Sequence, residues 1–290
     1  VYSEVDNRHD DDDDVELVVP AVVMAQEVLP GLQFVEFDAS RGDERSDDLR
    51  DLCKTGDWEK ILDLIQSMRT TTDVVAVPAR SFYVQVLVDA VAKTWPDNLE
   101  EDKECCTFLD EWVEAEKDSY DAHVIRAEAL LRWAWHARTS CLGRDVSEHQ
   151  FLHFAARLDM AERDIVRAKE LDRCSDALVH ATALKLSIGK GLHDLARSSL
   201  AALGSSNDPL NYRAHLSALT YFCAKWHGSH QQMFAFARLV VQQLHVGHPL
   251  WVLIPRAHFE RQPIVPQLGD WRQASVLHEI MNAYLQAFGT

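Results

Sequence analysis

The sequence predicts an all-α protein of stacked antiparallel helical hairpins, preceded by a mostly irregular N-terminal segment. Three observations support this fold class. From Asp48 onward, apolar residues recur at spacings of three and four, the period of one helix face. Strand-like alternation is nearly absent after residue 40. Short polar turns separate the helical segments, which is typical of helices that pair with their neighbours in the chain.

The N-terminal part differs in composition from the rest. Residues 1–14 end in five consecutive aspartates, whose mutual repulsion favours solvation, so we predict an acidic disordered arm. Residues 15–47 are predicted to be an extended or irregular segment and linker. Within them, the alternating run LQFVEFD is either a lone strand or an extended segment laid on the body. Residues 48–290 are predicted to form a helical repeat domain.

The first helices of that domain follow from their apolar faces. Leu49, Leu52 and Cys53 share one face, and the run Thr55–Trp58 (TGDW) breaks the helix before the apolar pattern restarts at Ile61. Further helices with the same period are predicted over residues 79–94, 103–116, 120–138 and 147–171.

A weak repeat is present in the second half. In LDMAERDIVRAKELDR (158–173), Ala161, Ile165 and Ala168 stand at offsets zero, four and seven. This pattern resembles the second helix of a tetratricopeptide repeat, in which small residues flank a large apolar one so that adjacent helices pack closely. An arginine follows Asp172, where that family usually has a proline. The resemblance implies a tetratricopeptide-like α-solenoid, whose units bury their apolar faces by stacking.

Two further units are predicted at about residues 174–209 and 210–247. Their second helices repeat the first two offsets, with the pairs Ala196 and Leu200, and Ala235 and Leu239. The stretches LLRWAWHAR, AERDIVRAKELD and CAKWHGSHQQMFAFAR together resemble an actinobacterial family of uncharacterised helical proteins. That second resemblance supports the fold and implies no activity.

Charge and cysteine content narrow the classes of function. The net charge is −17, but residues 1–50 hold 15 acidic and 4 basic residues, so the body is only mildly acidic. An acidic body argues against a nucleic-acid binder. No apolar run approaches the ~20 residues of a membrane span. The six cysteines form no CxxC pair, so we expect reduced thiols in a cytoplasmic protein, with no metal and no cofactor.

A binding surface is predicted from the family resemblance. In tetratricopeptide-like stacks the first helix of each pair lines a concave groove, which would take an acidic peptide of a protein partner or a small anion. Within RWAWHAR (132–138), the tryptophan and arginine side chains are either a binding hot spot or one core tryptophan with solvated arginines. The predicted groove residues are Arg126, Arg132, Trp135, His180, Lys185, His215 and Lys225.

The run Gly228-Ser229-His230 could be mistaken for catalytic machinery. Ser229 precedes an apolar-periodic run and Gln232 follows three residues later, which is the capping-box pattern of a helix start. We interpret Gly228 as relaxing the backbone before this cap. His227 and His230 beside the cap either line a pocket or are ordinary turn histidines. His149 and His153 have the i, i+4 spacing of a metal pair, but a solvated helix face explains them as well.

The function predicted from these features is binding rather than catalysis, and no catalytic residue is identified. The chain is interpreted as a protein-interaction or scaffold module. The alternatives are an accessory protein or enzyme of a biosynthetic pathway, or a sensor of a small anion, with a pocket between helices. The acidic arm is a candidate occupant of the groove. The final helix, Trp271–Phe288, either caps the stack or forms a homodimer contact.

Overall fold

The structure is a computed structural model that describes residues 44–67, 79–92, 107–138, 146–172, 175–261 and 273–288. The chain divides into two compact units, Val1–Glu44 and Arg45–Thr290. All described residues except Glu44 belong to the second unit. The predicted arm, and all of the predicted irregular segment before Glu44, lie outside the described residues.

Every regular element in the described ranges is helical, which confirms the predicted all-α class. A short 3-10 turn, Pro249–Val252, precedes the eleventh helix. The α-helices in chain order are α1 Glu44–Thr55, α2 Trp58–Ser67, α3 Ala79–Ala92, α4 Thr107–Ala115, α5 Tyr120–Arg138, α6 Glu148–Leu171, α7 Ala177–Lys190, α8 His193–Leu203, α9 Tyr212–Tyr221, α10 His230–Val241, α11 Leu253–Arg261 and α12 Ala274–Phe288.

Local sequence explains where several helices begin and end. The predicted break after α1 is confirmed, since Gly56 takes a φ of +69° between α1 and α2. Helix α6 begins with a complete capping box that sequence analysis overlooked: Ser147 Oγ accepts from the Gln150 amide at 3.2 Å, and the Ser147 amide donates to Gln150 Oε1 at 2.8 Å. Helix α7 ends at Gly191, whose left-handed φ of +67° turns the chain into α8.

Helices α5 and α7 lie at the centre of the packing. Helix α5 contacts α3, α4, α6 and α7, and α7 contacts α5, α6, α8 and α9. Both helices are consequently buried on nearly all sides, although each carries polar residues. Those polar side chains need partners inside the protein, because a buried charge without one is costly.

The positions of the predicted repeat motif are buried in α6 but exposed in α10. Ala161, Ile165 and Ala168 are all buried, as their resemblance to a packing helix predicts. In α10, however, Ala235 is exposed and Leu239 is 57% exposed. The buried pair with the same spacing is Ala237 and Val241. A shift of two residues rotates a helix face by roughly 200°, so the degenerate motif was placed on the wrong side.

The first helix of the third unit is shorter than its apolar pattern predicts. Helix α9 ends at Tyr221, and residues 222–229 form a connector of tight turns that leads to α10. The Gly228 amide donates to the Cys223 carbonyl at 3.3 Å, which folds the connector back on itself. A Cβ atom at Gly228 would stand 2.3 Å from the carbonyl oxygen of Phe222. Gly228 is therefore required by close backbone contact, which corrects the interpretation that it only relaxes the chain.

The helix start at Ser229 is confirmed in one of its two hydrogen bonds. Ser229 Oγ accepts from the Gln232 amide at 3.1 Å, so Ser229 is the N-cap of α10. The reciprocal bond from the Gln232 side chain is not formed among the described residues. Gln232 instead lies at the edge of a cavity. Ser229 thus has a structural role, as expected from the sequence.

The last helix leaves apolar side chains on the surface of the described chain. Helix α12 packs against α11 and the 3-10 turn through Val276, Ile280 and Ala283. Its opposite side carries five exposed large apolar residues, Leu277, Met281, Tyr284, Leu285 and Phe288. This exposed apolar face is compatible with the predicted homodimer contact, which stays a prediction. None of the described helices is both long and apolar enough to cross a membrane.

Substitution of Gly228 by alanine tests the close contact with Phe222. We expect Gly228→Ala to lower the free energy of unfolding by ~1–3 kcal/mol, because the new methyl group displaces a backbone carbonyl. Gly204→Ala is the matched control, since Gly204 has right-handed helical dihedrals and its Cβ would meet ordinary contact at 3.4 Å. Urea denaturation of the two variants measures the difference. Equal stabilities would contradict the steric role of Gly228.

Removal of the Ser229 hydroxyl tests the cap. Ser229→Ala should lower the free energy of unfolding by ~1 kcal/mol, because the Gln232 amide loses its acceptor. Ser198→Ala is the control: its hydroxyl donates to the Leu195 carbonyl within a helix, where alanine is the better helix former. Thermal and urea unfolding of both variants give the comparison, and a loss for Ser198→Ala as large as that for Ser229→Ala would refute the cap.

Candidate functional site

A buried carboxylate joins three of the helices predicted to line the groove. Glu128 of α5 is 2% exposed at its side chain. Its Oε2 lies 2.6 Å from Arg213 Nη2 of α9 and 3.7 Å from Lys185 Nζ of α7. Its Oε1 accepts a hydrogen bond of 2.7 Å from Thr182 Oγ1 of α7. One side chain thereby ties α5, α7 and α9 together.

The charges around Glu128 set its protonation state. Burial alone would raise the pKa of Glu128, but the charges of Arg213 and Lys185, with the hydrogen bonds from Thr182 and Arg213, lower that pKa to about 2. Burial lowers the pKa of Lys185, and the positive charges of Arg213 and Arg132 act in the same direction. The charge on Glu128 opposes that change. Glu128 is therefore fully ionised at neutral pH.

Arg132 adds a third cation to this group. It pairs with Asp89 of α3, and its side chain remains 41% exposed. We call the five residues Asp89, Glu128, Arg132, Lys185 and Arg213 the Glu128 cluster. With Lys185 protonated, its three cations face two carboxylates, so it carries one excess positive charge. Arg213 Nη1 is buried and has no hydrogen-bond partner among the described residues.

Arg132 lies close enough to Lys185 for its charge to act on that residue, but Arg126 lies in a different network. Arg126 Nε and Nη2 each lie 2.8 Å from a carboxylate oxygen of Asp164, and Nη1 lies 3.0 Å from Asp110. His123 Nδ1 is also 2.8 Å from Asp164. This network joins α5 to α6 and α4. The positive charge of Arg126 is balanced by Asp164 and Asp110 of the same protein.

Of the remaining predicted polar groove residues, His215 and Lys225 make local contacts, whereas His180 Nδ1 has no hydrogen-bond partner among the described residues. His215 is buried, and its Nδ1 donates to the Asn211 carbonyl at 2.9 Å. His180 is also buried, and burial lowers the pKa of both histidines, so both rings are neutral at pH 7. Lys225 pairs with Glu260 of α11. None of these three belongs to the Glu128 cluster.

The two tryptophans of RWAWHAR are both packed inside the protein. Trp133 is buried, with the Arg157 guanidinium 3.6 Å from the centre of its ring. Trp135 is partly buried and makes edge contacts with Phe154 at 5.0 Å and Trp226 at 5.3 Å between ring centroids. These contacts favour a packing role over a binding hot spot, but they differ from the predicted alternative: both tryptophans are packed, and Arg132 and Arg138 have partners in the protein.

A cavity of 590 Å³ lies between α7, α8, α9 and α10. Its lining residues are Leu184, His193, Ala196, Arg197, Leu200, Ala201, Ala218, Tyr221, Phe222, His227 and Gln232. His193 Nδ1 is hydrogen-bonded to the Tyr221 hydroxyl, and the His227 ring stands 5.0 Å from the Tyr221 ring. Of the two histidines considered beside the cap, His227 lines this cavity, whereas His230 is an exposed residue outside its lining. Sequence reasoning missed His193 and Tyr221, because neither stands in a recognisable motif.

The structure assigns no metal site to the histidine pair on α6. His149 Nε2 and His153 Nε2 lie 3.0 Å apart, so the two rings contact each other. In the described ranges, no group of three or more His, Cys, Asp or Glu side chains is placed to hold a metal ion. Cys53 and Cys223 are free thiols, and burial raises their pKa values to about 12 and about 11, so both stay protonated. The other four cysteines lie outside the described residues.

Neutralising Glu128 tests the cluster. Glu128→Gln keeps the shape but leaves Lys185 and Arg213 without their counter-charge, so we expect a loss of ~3–5 kcal/mol in the free energy of unfolding at pH 7. The lowered pKa of Glu128 stabilises the fold above its unfolded value of 4.5, and this contribution is lost as pH falls towards about 2. The difference between wild type and variant should therefore shrink over that window.

The matched control for this prediction is Glu114→Gln. Glu114 forms an exposed pair with Lys117 at 2.9 Å, so its neutralisation should change stability little. Urea unfolding at several pH values between 7 and 3 measures both variants. A constant difference between wild type and Glu128→Gln across this range would contradict the assigned charge state.

Comparison of the chain with protein-family models, with curated proteins and with solved structures found no match. The resemblance of residues 158–173 to a tetratricopeptide helix therefore stays a prediction from sequence. Among the described residues, the Glu128 cluster and the cavity between α7 and α10 are two places whose chemistry suits binding.

Proposed function

We propose that the chain is a protein-interaction module, tetratricopeptide-like in arrangement, that binds an acidic segment of a partner over the Glu128 cluster. The proposed surface is formed by α5, α7 and α9. In this arrangement α5, α7, α9 and α11 are the first helices of successive pairs. Their consecutive contacts, α5 with α7, α7 with α9 and α9 with α11, support it.

The observation that carries the proposal is the excess positive charge of the Glu128 cluster, together with the exposure of Arg132, whose side chain is 41% accessible. Inside the cluster, Arg213 Nη1 also lacks a hydrogen-bond partner among the described residues. A buried guanidinium N–H without an acceptor is unfavourable, and most such groups in proteins have a partner. An incoming carboxylate would accept a charge-assisted hydrogen bond from the exposed guanidinium of Arg132. It would also balance the excess positive charge that Arg132, Lys185 and Arg213 leave in the cluster. A neutral or basic segment would provide neither interaction.

The net negative charge of the chain makes binding of an acidic segment depend on the Glu128 cluster. With a net charge of −17, the protein repels acidic partners at long range. Binding of an acidic segment therefore depends on the local cluster and should be lost when the cluster changes. Arg132 is the suitable residue to change, because its side chain is 41% exposed and it does not contact Glu128 directly.

A randomised peptide library selected on the immobilised protein tests the proposal. We expect the wild-type protein to enrich peptides with aspartate or glutamate, and the Arg132→Glu variant to lose that enrichment. Arg163→Glu is the matched control, since Arg163 is exposed on α6 and the charge change is identical. Enrichment that ignores acidic residues, or equal losses for the two variants, would contradict recognition by the cluster.

A second variant tests the predicted acidic arm as an occupant of the same surface. If Asp10–Asp14 compete for the cluster, deletion of residues 1–14 should tighten binding of a selected acidic peptide, as measured by fluorescence anisotropy. Unchanged affinity would refute competition by the arm, while binding of the peptide itself would still stand.

A further inference from the structure

The cavity between α7 and α10 has the size and lining of a small-molecule site. Its volume of 590 Å³ falls within the ~300–1,000 Å³ common for ligand pockets. Much of its wall is apolar, and three alanines on α8 and α9 leave the space open: Ala196, Ala201 and Ala218. Leu184, Leu200 and Phe222 complete this apolar part. Such a wall suits the hydrocarbon or aromatic body of a ligand.

His193 and Tyr221 form a hydrogen-bonded pair in the polar part of the cavity lining. In either neutral tautomer of His193, this pair keeps one hydrogen-bond donor for a ligand. If the Tyr221 hydroxyl donates to His193 Nδ1, the neutral ring carries its proton on Nε2 and can donate from there. If Nδ1 carries the proton and donates to the Tyr221 oxygen, the Tyr221 hydroxyl keeps its own proton for another acceptor. Burial raises the pKa of Tyr221, so the phenol remains protonated at neutral pH. The pair thus always has one donor left for a ligand.

His227 is held in one orientation beside this pair. Its Nε2 lies 2.8 Å from the carbonyl oxygen of Ile188, which can only accept, so Nε2 carries a proton and donates. A Cβ atom on Gly191 would approach the His227 ring to 3.3 Å, so the ring packs against a position occupied by glycine. The ring contacts place His227 5.5 Å from His193 and 5.0 Å from Tyr221 between centroids. A fixed ring limits the space available to the polar end of a ligand.

Arg197 supplies positive charge to the same cavity. It stands four residues after His193 on α8, and therefore on the same helix face. Its side chain is 81% exposed, and its Nη1 lies 3.9 Å from Asp194, which does not line the cavity. The side chain of Gln232, which does not form the reciprocal capping-box bond, adds an amide group at the rim of the cavity. Donors and a cation thus converge where the apolar wall ends.

We propose that this cavity binds a small carboxylic acid, with an apolar body against the alanine and leucine wall and a carboxylate at His193, Tyr221 and Arg197. The class of ligand follows from the lining, which offers N–H and O–H donors and one positive charge beside apolar surface. No residue of the Glu128 cluster lines the cavity, so this site is independent of the proposed partner surface.

Calorimetric titration of the full chain with matched acids and amides tests the site. The probes are octanoate, decanoate, naphthalene-2-carboxylate and indole-3-acetate, each paired with its primary amide. We expect at least one acid to bind saturably and about tenfold or more tighter than its amide, since a charge-assisted contact is lost in the amide. The variants Tyr221→Phe and Arg197→Gln should each weaken binding of that acid by about tenfold.

Two further variants separate the site from general effects. Ala201→Leu fills the exposed rim of the cavity and should abolish binding without disturbing the core. Arg163→Gln and Arg132→Glu lie away from the cavity and should bind the acid as wild type does. Circular dichroism and the melting temperature verify that each variant is folded. The proposal is overturned if none of the four acids binds more tightly than its amide, or if folded Tyr221→Phe and Arg197→Gln both retain wild-type affinity.

Discussion

The ionised carboxylate of Glu128, buried among three helices, is the interaction on which the central packing depends. A buried charge without partners would cost several kcal/mol, so α5, α7 and α9 must bring Thr182, Lys185 and Arg213 to it together. Sliding any of the three helices by one residue would break this arrangement. Apolar contacts tolerate small shifts more readily than a hydrogen-bonded charge does, so Glu128 fixes the register of the helices more strictly than the surrounding leucines and alanines.

A second buried carboxylate, that of Asp164, makes polar contacts with another side of α5. Asp164 of α6 is 3% exposed and contacts both Arg126 and His123 of α5. Helix α5 is thus held by polar contacts towards α6 as well as towards α7 and α9. This explains how a helix that is buried nearly all round can carry a mostly buried arginine, a buried histidine and a buried glutamate, since each has a partner inside the protein.

The sequence predicts the helices well and the sites only in part, for physical reasons. Periodicity is local information, so α5 was predicted with its observed bounds and the buried positions of α6 with their observed faces. Ala237 is buried and Ala235 is exposed because of how α10 packs against other helices. A degenerate motif within α10 carries no information about that packing. Glu128 and Arg213 are separated by 85 residues, so their pairing has no local signal. The same holds for His193 and Tyr221, whose hydrogen bond depends on how α8 and α9 pack.

Helix α7 contributes both to the Glu128 cluster and to the cavity. Thr182 and Lys185 contact Glu128, while Leu184, one residue away, forms part of the cavity wall. Because the hydrogen bonds to Glu128 restrain α7, the wall that it presents to the cavity is ordered before any molecule enters. A preformed wall avoids the conformational entropy that a ligand would otherwise have to remove. The hydrogen bonds to Glu128 therefore bear on ligand binding only through the position of α7, since no residue of the Glu128 cluster lines the cavity.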